Sequence, residues 1–472
     1  MSLPEIKLFN TLTRSVETFF PLKKGEVTLY CCGPTVYNFQ HIGNLRTYLF
    51  EDFLVKILRY AGYKVQHVMN ITDVGHLVSD ADDGEDKMLV AAKREGKRSE
   101  DIATYYTNIF FEHCAWLNIK KPDVVCKATE HISEMIALIE RLLERGFAYQ
   151  SGGNVYFDVS KFEAYPELAK LSIEQLQAGA RIEVDIVKRN PLDFALWFTK
   201  SKFENQELQW ESPWGRGYPG WHIECSAMAM KYLGEHFDIH CGGIDHIPVH
   251  HTNERAQSEG ATGKPFVNIW MHGGFLLTNK EKMSKSTGGF LTLDVLKEKN
   301  IDPLAYRLFC MSGSYRQELN WSTEAIEGAA QTLERLKNTV SDWREKGAQS
   351  EKQVAEGKAK ELLAAFDAAL FNDLGMPKAL AVLHETVQSQ ELEVNQKLTL
   401  LERFDEVLCL GVRNWKVESF EIPEEVSNLL AKRQDARAKR NWQEADEARD
   451  RILALGFEIK DTADGAKLIK KK

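Results

Sequence analysis

At 472 residues the chain exceeds what one ordinary hydrophobic core accommodates, so three or four modules of roughly 100 to 200 residues are expected. With 43% hydrophobic and 27% charged residues and no apolar run long enough to cross a bilayer, the composition excludes a membrane-spanning chain and fits a cytosolic globular protein without a targeting segment. A net charge of −9 argues against wholesale coating of nucleic acid, yet Glu425 to Lys472 holds 12 Lys and Arg against 9 Asp and Glu, which leaves local RNA contact open.

In chain order, Val27 to Cys32 reads as a strand, Gly33 and Pro34 open a loop, and Asn44 to Ala61 carries the apolar stripe Leu45, Tyr48, Leu49, Phe53, Ile57 and Leu58 of a helix. Gly62 ends it and Lys64 to Ile71 is the next strand, giving the β-loop-α-β opening unit of a doubly wound α/β sheet. From Glu130 to Trp210 a mixed segment follows, with a helix from His131 to Arg145 and strand-like stretches at Asn154–Val159 and Asp193–Phe198, read as an insertion splitting that fold. The fold resumes at Gly220–Cys225 and at the alternating Phe237–His240, with Gly242 and Gly243 read as a turn. Beyond Ser322 the pattern becomes helical: Thr323–Arg344, Gly357–Leu370, Pro377–Gln388 and Val394–Leu410 suit an antiparallel bundle. Two further helices, Glu424–Lys439 and Trp442–Leu455, precede a small hairpin from Gly456 to Leu468.

Two motifs carry the chemistry. His41-Ile42-Gly43-Asn44 falls at a strand-to-helix turn, where free backbone N–H groups and the helix dipole favour phosphate. Lys282-Met283-Ser284-Lys285-Ser286 lies about 240 positions downstream. Alone, a Lys/Ser pentapeptide is an ordinary solvated loop; in this order the pair points to a triphosphate whose developing charge is neutralised from two sides.

A metal site is also legible. His250 and Glu254 are spaced i, i+4 and share one helix face. Cys225 and the pair Cys31/Cys32 are placed at ends of parallel strands, where a sheet gathers distant segments into one crevice. Adjacent residues of a strand point to opposite faces, so at most one of Cys31 and Cys32 faces the crevice, and geometry alone leaves the choice open. Two thiolates, an imidazole and a carboxylate suit zinc better than magnesium or calcium. Cys114, Cys126, Cys310 and Cys409 read as small buried hydrophobes, and the scattered spacing of all eight cysteines speaks for reduced thiols.

Together, Cys32-Gly33-Pro34-Thr35-Val36-Tyr37-Asn38, the His41 tetrad, Pro219 to Met228, Gly242-Gly243-Ile244-Asp245, His250-His251 with Glu254, and Lys282 to Ser286 closely resemble the cysteinyl-tRNA synthetases, nearly end to end. The resemblance implies a Rossmann-like class I synthetase catalytic domain with a connective insertion, followed by an α-helical bundle anticodon-binding domain and a small C-terminal α/β module. The implied boundaries are 1–130 and 216–290 for the two Rossmann halves, 131–215 for the insertion, 291–345 for a stem-contact region, 346–415 for the bundle and 424–472 for the anticodon-binding module. By motif position it makes Cys32, Cys225, His250 and Glu254 the ligands of one zinc ion, leaving Cys31 aside.

The resemblance further implies catalytic roles for Lys285, His41, Asn44 and Lys282, with Lys285 on the leaving phosphates, His41 and Asn44 near the α- and β-phosphates, and the loop around Lys282 a mobile lid. Gly33, Thr35, Gly43, Gly243, Asp245, Ser284 and Ser286 would bind ATP, brought with Mg²⁺, or the amino acid. Thr72 and Trp221 would line the cysteine pocket, although a tryptophan beside Pro-Gly also suits a packing anchor. Arg437, Trp442, Asp446 and Asp461 would meet tRNA(Cys); as bare sequence, Trp442 fits a stacking platform and the core of an amphipathic helix equally. The expected partners are tRNA(Cys), ATP and L-cysteine, acting on a cytoplasmic monomer.

Three departures from the family pattern stand out: Asn44 where the tetrad commonly ends in His, Cys241 where Gly is frequent, and a longer stretch between Asp73 and Asp86. Two rival readings are a cysteine ligase acting on an amino sugar in the mycothiol pathway, which lacks a full anticodon module, and a non-catalytic tRNA-binding relative.

Overall fold

The N-terminal hairpin of β1 (Lys7–Asn10) and β2 (Ser15–Thr18) precedes β3 (Glu26–Cys31), α1 (Ile42–Tyr60) and β4 (Lys64–Ile71). After α2 (Ser99–Trp116), β5 (Val124–Lys127) and α3 (Ile132–Glu144) come four short strands, β6 (Ala148–Ser151), β7 (Asn154–Phe157), β8 (Phe194–Phe198) and β9 (Tyr218–Pro219). The chain continues through α4 (Trp221–Leu233), β10 (Phe237–Gly243), α5 (His250–Thr262), β11 (Val267–Gly273), β12 (Leu276–Thr278) and β13 (Glu281–Lys282). Mostly helical structure follows: α6 (Asp294–Glu298), α7 (Pro303–Met311), β14 (Leu319–Trp321), α8 (Thr323–Glu345), α9 (Lys358–Phe371), α10 (Met376–Gln388) and α11 (Val394–Leu408). Last come α12 (Glu424–Ala438), α13 (Trp442–Ala454), β15 (Phe457–Thr462) and β16 (Gly465–Lys470). This computed structural model describes residues 3–75, 91, 94–171, 187–200, 208–278, 281–282, 291–416, 423–462 and 465–470. Two compact units divide at Trp415 and Lys416.

Five parallel strands in the order β11-β10-β3-β4-β5 form the central sheet of the first unit. The chain winds from β3 towards β5 on one side and later from β10 to β11 on the other, so the order reverses between β3 and β10, where open α/β sheets bind ligands. β10 is buried at every residue although it carries Asp238 and His240. Asp238 is satisfied by Leu22 N at 2.6 Å, Thr28 N at 2.8 Å and Thr28 Oγ1 at 2.7 Å, which ties β10 to β3.

The edge strands β5 and β11 are absent from the sequence reading. Gly242 and Gly243 are not a turn but the last residues of β10, paired with His272 and Gly273 of β11. A Cβ on Gly242 would lie 2.4 Å from His246 Nδ1 and 2.7 Å from His251 Cε1, so glycine here makes room for imidazoles rather than for a bend. Strands β6 to β8 lie within the stretch read as an insertion, and β9, which falls just beyond the expected boundary at 215, completes their separate antiparallel sheet. Cys114, Cys126 and Cys310 are buried as read; Cys409 is half-buried instead, because it caps α11 in the left-handed region with φ 50° at the helix end.

Arg307 of α7, fully buried, fastens the bundle to the sheet layer: it pairs with Asp52 of α1 at 2.8 Å and donates to Leu408 O at 2.7 Å and Leu117 O at 2.9 Å. Every donor so used replaces a water lost on burial.

His67 of β4 is buried, and burial pushes its imidazole pKa down to about 4. The folded chain therefore holds the ring neutral and the unfolded chain protonates it first. Its contribution to stability is complete above a pH of about 6.5 and disappears as pH falls towards 4, a loss of about 3 kcal/mol at most. Urea midpoints measured between pH 7 and 4.5 are expected to fall less steeply for His67→Gln than for the wild type; parallel slopes would reject this role.

Candidate active site and metal centre

Cys32 follows the last residue of β3 and its N–H donates to Cys241 O of β10 at 3.2 Å, which places it on the seam where the strand order reverses. The pleat separates the two adjacent cysteines. Cys31 joins the hydrophobic cluster beneath α1, in register with Cys241, whereas Cys32 joins the opposite cluster with Cys225. Cys225 does not end a strand: it stands in the second turn of α4, whose N-terminus opens at the crevice behind Gly220. His250 and Glu254 share a face of α5.

All four side chains are buried, and their donor atoms lie within 4.8 Å of one another. Cys32 Sγ is 4.0 Å from Cys225 Sγ and 3.6 Å from Glu254 Oε1, and His250 Nε2 is 3.1 Å from the same carboxylate oxygen. The edges of a tetrahedron drawn with ordinary zinc–ligand lengths are about 3.8, 3.5 and 3.3 Å for sulfur–sulfur, sulfur–oxygen and nitrogen–oxygen pairs. These three of the six edges match a tetrahedral cation to within a few tenths of an ångström, and the remaining pairs stay within 4.8 Å. Cys225 is held below the usual thiol range by its hydrogen bond with Cys32, against the effect of burial. Glu254 is held far below the usual carboxylate range: burial works against this, and His240 and His250 outweigh it. Two of the four donors are thus biased to the deprotonated form that a cation requires.

Histidines that the sequence reading did not single out complete the surroundings. A second set, Cys32, His240, His251 and Glu254, also meets the spacing for a metal and shares two donors with the first. Two sulfurs against one make the first set the softer and better match to zinc. His240 Nε2 lies 2.8 Å from Glu254 Oε2, His222 Nδ1 is 2.8 Å from His250 Nδ1, and His251 Nε2 is 3.3 Å from Cys32 Sγ. His240 comes from a strand read only for its alternation and His272 from β11, which the sequence reading lacks, so an imidazole in a buried strand was the signal available for finding them.

Around this centre the backbone assembles a second group. Gly33 N donates to Asn70 Oδ1 at 2.8 Å, and Asn70 Nδ2 donates to Thr72 Oγ1 at 3.0 Å. Thr35 and Thr72 form a parallel bridge, Thr72 N donates to Pro34 O at 3.1 Å, and Thr72 Oγ1 donates to Glu224 Oε2 at 3.3 Å. Trp221, half-buried at the start of α4, sets its ring edge-on to His250 with centroids 5.7 Å apart. Gly243 ends β10 and Asp245 stands exposed just beyond it.

His41 is the N-cap of α1, and its Nδ1 accepts from Asn44 N at 3.1 Å. In the neutral ring that bond leaves the N–H on Nε2, the tautomer suited to donating to an anion at a helix start. Gly43 follows in the first turn, and Ile42 N donates to Leu291 O at 2.8 Å, next to the far end of the 283–290 stretch. Ser284, Lys285 and Ser286 lie outside the described residues, as does most of the long stretch after Asp73; Lys282 is seen only as backbone in β13.

A family model described as the class I (C) tRNA synthetase catalytic domain matches residues 18–331, and one described as the cysteinyl-tRNA ligase anticodon binding domain matches 420–467. A cysteine–tRNA ligase of Treponema denticola is 49% identical over 97% of this chain and 98% of its own. The chain belongs to the cysteinyl-tRNA synthetase family. A cysteine–tRNA ligase 1 of Burkholderia lata is 45% identical over 98% of this chain and 96% of its own. In fold the synthetase is similar to Mycobacterium tuberculosis methionyl-tRNA synthetase in complex with methionyl-adenylate, with a TM-score of 0.56 at 17% identity over 89% of this chain and 96% of that one. It is a class I aminoacyl-tRNA synthetase with a Rossmann-like parallel sheet.

In the C-terminal unit of this synthetase, Val426, Ile452 and Phe457 form the core and Trp442 is not among them: it is 60% exposed at the first position of α13. Arg437 and Asp446 are also exposed, Asp446 pairing with Arg449 at 3.1 Å, and Asp461 is placed by its backbone in β15.

Asn70 and Gly33 are predicted to be inseparable. A Cβ at residue 33 would sit 1.7 Å from Asn70 O, so Gly33→Ala has to part the ends of β3 and β4. The expected loss is about 1–3 kcal/mol, read by thermal denaturation. An unchanged melting temperature would contradict the contact.

Proposed function

We propose that this synthetase joins L-cysteine to tRNA(Cys) in two steps and that Cys32, Cys225, His250 and Glu254 hold one zinc ion that selects the amino acid. The reading is carried by one observation: two thiols, an imidazole and a carboxylate converge with tetrahedral spacing at the strand-order reversal, beside a helix start prepared for phosphate. In the first step the cysteine carboxylate attacks the α-phosphorus of Mg-ATP and pyrophosphate departs. In the second, a terminal ribose hydroxyl of the tRNA attacks the acyl carbon and AMP leaves.

No protein nucleophile is required, so the side chains position and neutralise. His41 offers Nε2–H to the α- and β-phosphates, with the dipole of α1 favouring their charge; Asn44, uncharged, adds a side-chain amide donor. Lys285, with Lys282, Ser284 and Ser286, takes the leaving phosphates. Gly33, Thr35, Gly43, Gly243 and Asp245 shape the nucleotide and amino-acid cleft, and Thr72 and Trp221 wall the side-chain pocket. When bound, zinc supplies a Lewis acid that prefers sulfur to a hydroxyl, a larger distinction than the roughly 100-fold an apolar pocket gives between near-isosteres. Exposed Trp442 suits stacking on an anticodon base, with Asp446 and Asp461 accepting from base edges and Arg437 meeting backbone. The match of residues 420–467 to an anticodon-binding family favours tRNA over an amino sugar as acceptor. Among the described residues no helix is long and apolar enough to cross a membrane, and the family resemblance supports a cytoplasmic monomer.

The direct test is incorporation of labelled cysteine into RNase-sensitive, acid-precipitable material with ATP, magnesium and bacterial tRNA; charging with cysteine and none with serine is expected. Cysteine-dependent ATP–pyrophosphate exchange without charging would reject tRNA(Cys) as acceptor. Removal of zinc by a strong chelator should abolish the exchange and added zinc restore it. For Lys285→Ala the exchange rate is expected to fall about 100- to 1,000-fold with cysteine affinity unchanged, and a wild-type rate would take Lys285 out of the mechanism.

A further inference from the structure

Behind the four proposed ligands a chain of short polar contacts runs away from the crevice and ends in the N-terminal hairpin. His251 Nε2 lies 3.3 Å from Cys32 Sγ, His251 Nδ1 lies 2.8 Å from His272 Nε2, and His272 Nδ1 lies 2.7 Å from Thr11 Oγ1. His251, His272 and Thr11 are all buried. Each ring bridges two partners through its two nitrogens, and a neutral imidazole has one donor and one acceptor nitrogen for such a row.

Once one end is fixed, the direction of the whole chain follows. A sulfur that binds a cation is a thiolate and only accepts. With Cys32 accepting, His251 carries its proton on Nε2 and accepts at Nδ1, His272 donates from Nε2 and accepts at Nδ1, and the Thr11 hydroxyl donates. Every donor and acceptor along the row is then matched with one proton per contact. The far end is rigid: Thr11 N donates to Trp270 O at 2.8 Å, and Asn10 Oδ1 and Nδ2 engage Trp270 N and Asn268 O at 3.2 and 3.0 Å. Trp270 packs against the ring of His251, centroids 5.2 Å apart, so the same residue holds both the anchor and the middle of the row.

We propose that Thr11 and His272 are positioning residues of the metal centre, which through His251 hold an N–H on the Cys32 sulfur and fix the orientation of that ligand. Neither touches the proposed metal or substrate. Thr11 lies 21 positions before Cys32 on a hairpin outside the five-stranded sheet, and its part in the site comes through the hydroxyl alone. Partners of this kind behind metal ligands change affinity by about 10- to 100-fold when removed. This inference rests on the reading of Cys32, Cys225, His250 and Glu254 as a zinc site.

The test is zinc affinity of the full-length protein, stripped of metal and titrated against a chromophoric chelator. Thr11→Val, which keeps the shape and removes the hydroxyl, is expected to weaken zinc binding about 10- to 100-fold, and Thr11→Ser to restore it. The thiolate-to-metal absorption of the cobalt-substituted protein should shift in Thr11→Val and return in Thr11→Ser. His272→Leu breaks the same row at its middle; the double variant Thr11→Val/His272→Leu should bind no more weakly than the weaker single one, because both cut one path. Should Thr11→Val not fold, equal zinc affinity of His272→Leu and wild type would still overturn the proposal. It is overturned equally if Thr11→Val binds zinc as the wild type does, or if Thr11→Ser is as weak as Thr11→Val. A wild type that binds no zinc rejects the metal site itself, an outcome distinct from loss of the positioning row.

Discussion

A carboxylate with no exposure to water governs the architecture of the catalytic crevice. Glu254 is fully buried, and an ionised carboxylate without water must find its partners within the protein. It finds them in His240 at 2.8 Å and His250 at 3.1 Å. His240 belongs to β10 and His250 to α5 itself, so satisfying one charge sets the position of α5 against β10, with the Cys32 sulfur at the end of β3 3.6 Å away. Removing the carboxylate would leave the surrounding imidazoles with unmatched donors, so the cluster is mutually dependent rather than a sum of pairs.

The parallel sheet makes that arrangement possible. Side-by-side placement of β3 and β10 brings residues more than 200 positions apart to one seam, and the pleat divides them between two faces. On the α1 face, Cys31 and Cys241 disappear into an apolar core. On the other, Cys32 meets Cys225, His250 and Glu254. Since the seam lies at the carboxyl ends of the strands, the same geometry sets the start of α1 beside the crevice that holds Cys32, Cys225, His250 and Glu254.

Polar order extends outward from the centre through groups that are individually ordinary. Asn70 joins Gly33 to Thr72, Thr72 reaches Glu224, and His272 reaches Thr11. Each is engaged by a neighbour, which keeps these buried polar atoms from weakening the fold and orients the side chains of the site. Arg307 does the same at larger scale, joining α1, the end of α2 and the last helix of the bundle.

The doubly wound fold, the helices after Ser322 and the order of the motifs were legible in the sequence, because hydrophobic period and turn residues are local properties. Strands β5 and β11 were not, being short or uniformly buried, with no alternation to distinguish them. Residue type and spacing singled out Cys225, His250, Glu254 and one of Cys31 and Cys32 as a chemical set, and the family resemblance chose Cys32. Only the tertiary structure decided that Cys225 rides on a helix, that Gly242 clears space for imidazoles, and that Trp442 stays out of its module's core. The reason is physical: donor type is carried by each residue alone, whereas the direction of a side chain and the company it keeps depend on pleat, register and the burial of groups distant in the chain. His240, His251, His272 and Thr11 acquire their place in the site only through those long-range contacts.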